Sequence, residues 1–192
     1  KSTFRDSTGL PDPNHKMSVR DIATLARYII LNHPDYFPIY SEKSFTWSDI
    51  TQPNRNRLLW LDPNVDGLKT GHTENAGYCL IASAKRGHRR LLSVVLGTVS
   101  ENVRAQESQK LLNYGFQFYD SVRMYARNQP VTELRVWKGA SDTLKAGFTG
   151  DLYLALPKGQ SGKIKATVES LQPLLAPVSP GQRVATLKLE ID

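Results

Sequence analysis

The hydrophobic period of the chain changes near Tyr119, and that change limits the fold more than any other feature. Before it, apolar residues recur at helical spacing. Ser18-Val19-Arg20-Asp21 has the form of a capping box, and Ile22, Leu25, Ala26, Ile29 and Ile30 follow on one helix face. Asn32-His33-Pro34 should end that helix. Ser100 to Phe118 returns to the same spacing, with Val103, Leu111, Leu112 and Phe116 among polar residues. After Tyr119 the period is two. Ala185, Leu187, Leu189 and Ile191 alternate with Thr186, Lys188 and Glu190, the pattern of a half-buried strand. Val131 to Trp137, Leu152 to Leu156 and Ile164 to Glu169 are similar short segments, separated by glycines and prolines. The sequence therefore predicts an α+β part over residues 1–118 and a small all-β domain, a sandwich, over residues 119–192. An exposed boundary is expected between Tyr119 and Arg127.

Within the first part, Tyr78 to Lys85 and Arg90 to Leu96 read as an antiparallel hairpin joined by a basic turn. Pro38 to Asn56 reads as loop with one short strand.

The net charge is +7, from 25 basic and 18 acidic residues. A basic chain can bind nucleic acid, an anionic membrane or acidic small molecules. Here the excess is even: residues 1–118 carry 15 Lys/Arg and 11 Asp/Glu, residues 119–192 carry 10 and 7. The densest run, Lys85-Arg86-Gly87-His88-Arg89-Arg90, is a solvated turn, and no zinc-finger or RNA-binding signature accompanies it, so nucleic acid is not an expected partner. No apolar run approaches the ~20 residues of a membrane-spanning helix. The start, Lys1-Ser2-Thr3-Phe4, is neither an initiator Met nor a signal peptide. The chain is expected to be soluble as given and a piece of something longer.

The single cysteine, Cys79, excludes an intrachain disulfide and a Cys-based zinc cluster. Its apolar surroundings, Tyr78-Cys79-Leu80-Ile81-Ala82, read as those of a small buried residue rather than a nucleophile. His15, His33 and His88 have no partners at metal-ligand spacing and are assigned to the surface.

Chemistry is concentrated around Lys69-Thr70-Gly71. A phosphate-binding loop is excluded, because Leu68 stands where that loop needs glycine. A strand carrying Lys, Thr and Gly can instead present an ammonium and a hydroxyl to a carboxylate or carbonyl, while glycine lets a substrate backbone come close. The triplet is the third motif of penicillin-binding proteins and class A β-lactamases. Tyr40-Ser41-Glu42-Lys43, Asn54-Arg55-Asn56, Leu58-Leu59-Trp60, Asn64 through Thr73 and Ala76-Gly77-Tyr78 occur in order around it. Together they resemble the D-alanyl-D-alanine carboxypeptidases, the low-molecular-mass penicillin-binding proteins of bacterial cell-wall synthesis. The resemblance covers nearly the whole chain, and the all-β tail is similar to that family's second domain.

The resemblance implies the C-terminal part of a transpeptidase-like catalytic domain over residues 1–118. It implies a serine peptidase working through an acyl-enzyme, with its nucleophile in Ser-x-x-Lys and a second group in Ser-x-Asn, both ahead of Lys-Thr-Gly. No serine of this chain has lysine three residues later, and the one Ser-x-Asn, Ser100-Glu101-Asn102, lies after Lys69. Ser100 reads as a helix cap. Without nucleophile and base, serine peptidases retain only ~10³–10⁴ of their acceleration over water, so these 192 residues alone are expected to be nearly inert. Carried over by the same resemblance, Lys69 is catalytic, and Thr70, Gly71, His72, Arg55 and Arg104 bind substrate. The implied partners are peptidoglycan pentapeptides and β-lactams. The implied location is the periplasm of a Gram-negative cell, at the inner membrane through a C-terminal anchor outside this sequence. No metal or organic cofactor is implied. Two alternatives from other classes are a non-catalytic β-domain module that binds a partner or cell-wall polymer, and a basic nucleic-acid binder.

Overall fold

Ser18 caps the first helix as its place ahead of Asp21 predicts: the Ser18 hydroxyl accepts from the Asp21 N–H at 3.2 Å. In the computed structural model, which describes residues 2–191, that helix, α1, spans Val19–Asn32. The His33 N–H closes it on the Ile29 carbonyl. A 3-10 helix follows over Phe37–Ser41.

The stretch read as loop with one strand is instead a two-stranded hairpin, β1 (Ser44–Trp47) and β2 (Ile50–Pro53). Its turn residues, Ser48 and Asp49, both take positive φ, 47° and 61°. Asn-Gly or Asp-Gly usually announces such a turn, and neither pair is present. Every residue of the hairpin is exposed.

A one-turn helix α2 (Leu58–Leu61) leads into β3 (Val65–Thr73), β4 (Gly77–Arg86) and β5 (Arg89–Thr98). These form one antiparallel sheet in the order β3-β4-β5. Gly87 takes φ +59° at the β4–β5 turn, as the basic run predicts. Helix α3 (Glu101–Phe118) ends this part. Ser100 caps it through the Val103 N–H at 3.2 Å, as expected.

The pleat of β4 divides the core. Leu80, Ala82 and Ala84 meet Leu58 and Leu59 of α2 and Ala105, Leu112 and Phe116 of α3. Ile81 packs with the cluster of Ala26, Phe37 and Leu68, joined by Ile29 and Ile30. Helices thus cover both faces of the sheet. Cys79 is half-buried rather than buried. Its cross-strand neighbour is Gly71, which has no side chain to cover it. His15 is also half-buried rather than at the surface, edge-on to Phe4 at 5.4 Å. His33 and His88 are exposed.

The chain divides into two compact units, residues 1–117 and 118–192. The second holds β6 (Tyr119–Tyr125), β7 (Pro130–Trp137), β8 (Thr143–Gly147), β9 (Leu152–Pro157), β10 (Ile164–Ser170), β11 (Leu174–Leu175) and β12 (Ala185–Ile191). They pair as β6-β9, β11-β7-β8 and β10-β12. Leu134, Leu156 and Leu174 are its buried side chains. The window expected to be an exposed boundary is occupied by β6, which starts directly after α3. Among the described residues, no helix is long and apolar enough to cross a membrane.

Candidate active site

Strand β3 is an edge strand, since β4 pairs with one side of it and no described strand pairs with the other. Its second half, Lys69 to His72, is exposed or half-buried. An unpaired edge offers a row of backbone donors and acceptors to an extended peptide. Among the described residues, none demands glycine at position 71. A Cβ there would meet only the Cys79 Cβ, at an ordinary 3.9 Å. The absent side chain leaves the strand open beside Cys79.

A cleft of about 730 Å³ opens at this edge. It brings together every residue singled out from the sequence: Lys69, Thr70, Gly71 and His72 from β3, Arg55 from the segment before α2, and Arg104 from α3. Ile39, Tyr40, Asn54, Leu68, Tyr78 and Glu101 complete the lining.

The two arginines are in different states. Arg104 is 3% exposed. It donates to the Gly71 carbonyl at 3.4 Å, the Arg55 carbonyl at 3.3 Å and the Glu101 carboxylate at 3.2 Å. Arg55 is exposed, and among the described residues its guanidinium has no hydrogen bond or ion pair. The Lys69 ammonium, also exposed, rests on the Thr70 carbonyl at 2.6 Å.

Tyr78 carries no role in the sequence reading, yet it organises this corner. Its ring stacks on His72 with centroids 3.9 Å apart, and the Arg104 guanidinium lies 5.5 Å from the same ring. The signal was available by counting along the β3–β4 hairpin, whose register pairs His72 with Tyr78. A second recess of about 300 Å³, almost wholly apolar, lies along α1 and shares Lys69, Thr70 and Gly71 with the cleft. No cluster of three potential metal ligands occurs among the described residues.

A cleft that presents Lys-Thr-Gly along a free strand edge, beside an unpaired arginine, suits an extended peptide with a terminal carboxylate. Residues 1–100 match the family model described as D-alanyl-D-alanine carboxypeptidase. The chain belongs to that family. Residues 119–192 match the C-terminal domain of penicillin-binding protein 5, so the all-β unit is that small domain following a transpeptidase-like part. Among curated carboxypeptidases of the family, DacD of Escherichia coli K12 is 43% identical over 189 residues, covering 97% of this chain and 48% of the relative. DacC of the same organism is 40% identical, covering 100% and 48%. The crystal structure of penicillin-binding protein 5 from Haemophilus influenzae superposes with a TM-score of 0.91 at 40% identity, covering all of this chain and 56% of that one. The chain spans about half the length of the curated carboxypeptidases it matches.

Proposed function

We propose that these residues belong to a serine-type D-alanyl-D-alanine carboxypeptidase, and that they supply its substrate-recognition half. The enzyme removes the terminal D-Ala from peptidoglycan stem peptides. The convergence of Lys69, Thr70, Gly71, His72, Arg55 and Arg104 on one cleft at a free strand edge carries this reading.

In the proposed reaction the stem peptide lies along β3, with Gly71 admitting its backbone. Arg55 and the Thr70 hydroxyl take the terminal carboxylate; a guanidinium can hold both of its oxygens. Lys69 places a positive charge beside the reacting carbonyl, where negative charge grows in the tetrahedral state. His72 lines the site as a contact. Arg104 adds charge from beneath while bracing Gly71 and Arg55. The serine nucleophile and its base come from the part of the enzyme outside these 192 residues. The serine oxygen attacks the penultimate carbonyl, the peptide bond breaks, and D-Ala leaves as the amine carrying the proton. Water then hydrolyses the ester. A β-lactam, which carries both a carboxylate and a reactive amide, acylates the same serine. The location that suits this substrate is the outer face of the inner membrane.

Labelled penicillin tests the division of labour. The full-length enzyme should gain the mass of one inhibitor, and the 192-residue chain should keep its own mass. An adduct on the short chain would place a nucleophile inside it and overturn the reading.

A further inference from the structure

Four residues join the exposed hairpin to α2; of the first three, Asn54 and Asn56 turn their side chains to the protein while Arg55 between them does not. The Asn54 carboxamide donates to the Glu42 carbonyl at 2.9 Å and the Tyr40 carbonyl at 3.4 Å. Its oxygen accepts from the Asn56 N–H at 2.9 Å. Asn56 is wholly buried. Its carboxamide donates to the Gly67 carbonyl at 3.0 Å, two residues before Lys69, and its oxygen accepts from the Leu58 N–H at 3.2 Å. The backbone carbonyl of Arg55 accepts from Arg104 at 3.3 Å. The backbone around Arg55 is thus tied to the 3-10 helix, the motif strand, α2 and α3. Only its guanidinium is left to the cleft.

Asparagine suits both positions. Each site needs a donor and an acceptor on one short side chain, without a buried charge. An arginine side chain is long and loses much rotamer freedom when held. Fixing its base shortens the search for the carboxylate.

We infer that Asn54 and Asn56 are positioning residues that aim Arg55 at the substrate's terminal carboxylate. This rests on the assignment of Arg55 to that carboxylate. It adds a specificity role for two side chains that act through the backbone of Arg55 rather than on the carboxylate.

The test uses the full-length enzyme and one peptide ending in D-Ala-D-Ala, with either a free carboxylate or a C-terminal amide. The readout is the ratio of kcat/KM for the two forms. Asn56→Ala empties a wholly buried site and can fail to fold, so half-buried Asn54 carries the test. Arg55→Ala should lower the ratio about tenfold or more, the loss of a charged hydrogen-bond pair. Asn54→Ala should lower it about threefold to tenfold, through KM for the free acid, with the amide form little changed. The double variant should discriminate no worse than Arg55→Ala alone, because both changes remove the same interaction. If Asn54→Ala leaves the ratio at the wild-type value, slows both forms alike, or adds in full to Arg55→Ala, its role is structural and the inference fails. If Arg55→Ala itself leaves the ratio unchanged, the carboxylate assignment falls first, and the inference with it.

Discussion

The buried Arg104 guanidinium donates to the backbone carbonyl of Gly71 at 3.4 Å, across 33 residues of sequence. A charge on the last helix of the first unit is thereby fixed to the backbone of the motif strand. The same group reaches the Arg55 carbonyl and Glu101, and lies over the Tyr78 ring that stacks on His72. Removing it would free two strand and loop carbonyls and loosen the aromatic stack together.

Arg104→Ala should therefore weaken the whole site and the fold. Loss of hydrogen bonds from a buried charged donor costs about 2–4 kcal/mol, readable as a lower urea midpoint of the full-length enzyme. Turnover should fall for free and amide-capped peptides alike, unlike Arg55→Ala. A selective loss on the free acid, with unchanged stability, would make Arg104 a direct carboxylate ligand.

Asp62 gives a pH-dependent test of the first unit's stability. Burial pushes its carboxyl up. The backbone and carboxamide N–H groups of Asn64 and the Arg86 guanidinium outweigh that and hold it below the ordinary carboxylate value. A carboxyl that is more acidic folded than unfolded stabilises the fold above the unfolded pKa of about 4, and this is lost as pH falls through the folded value. Asp62→Asn should cost about 1–3 kcal/mol at pH 7, with the difference from wild type shrinking below about pH 4. An equal difference at pH 7 and pH 3 would show that the ionised form is not what stabilises.

Gly77 is required by the strands themselves. It takes φ +63°, and a Cβ there would stand 2.9 Å from the Thr98 carbonyl oxygen. Gly77→Ala should part the ends of β4 and β5, disturb Tyr78 next to it, and destabilise by about 1–3 kcal/mol. Chemical unfolding measures this, and an Ala variant as stable as wild type would contradict it.

Much of the first unit is legible in its residues. Ser18 ahead of Asp21 and the Ile22–Ala26–Ile29 face mark α1, and the apolar runs around Gly87 mark the β4–β5 hairpin. The motif residues announce the site because their chemistry is unusual at that spacing. What stays hidden depends on partners far away in sequence. The resemblance assigns Arg104 to substrate, but its burial and its hydrogen bonds to the carbonyls of Gly71 and Arg55 depend on residues 33 and 49 positions away. The β1–β2 hairpin turns on Ser48 and Asp49 without glycine. Strands β6, β8 and β11 escape because one is continuous with a helix and the others are five and two residues long.

Release of D-Ala from a peptide ending in D-Ala-D-Ala, by the full-length enzyme and its Lys69→Ala variant, tests carboxypeptidase activity and the role of the motif lysine together. The wild type should release one D-Ala per peptide. The variant should be about tenfold to a hundredfold slower, from loss of a charge beside the reacting carbonyl. A wild type that releases no D-Ala, or a Lys69→Ala enzyme as fast as the wild type, would contradict the proposed function.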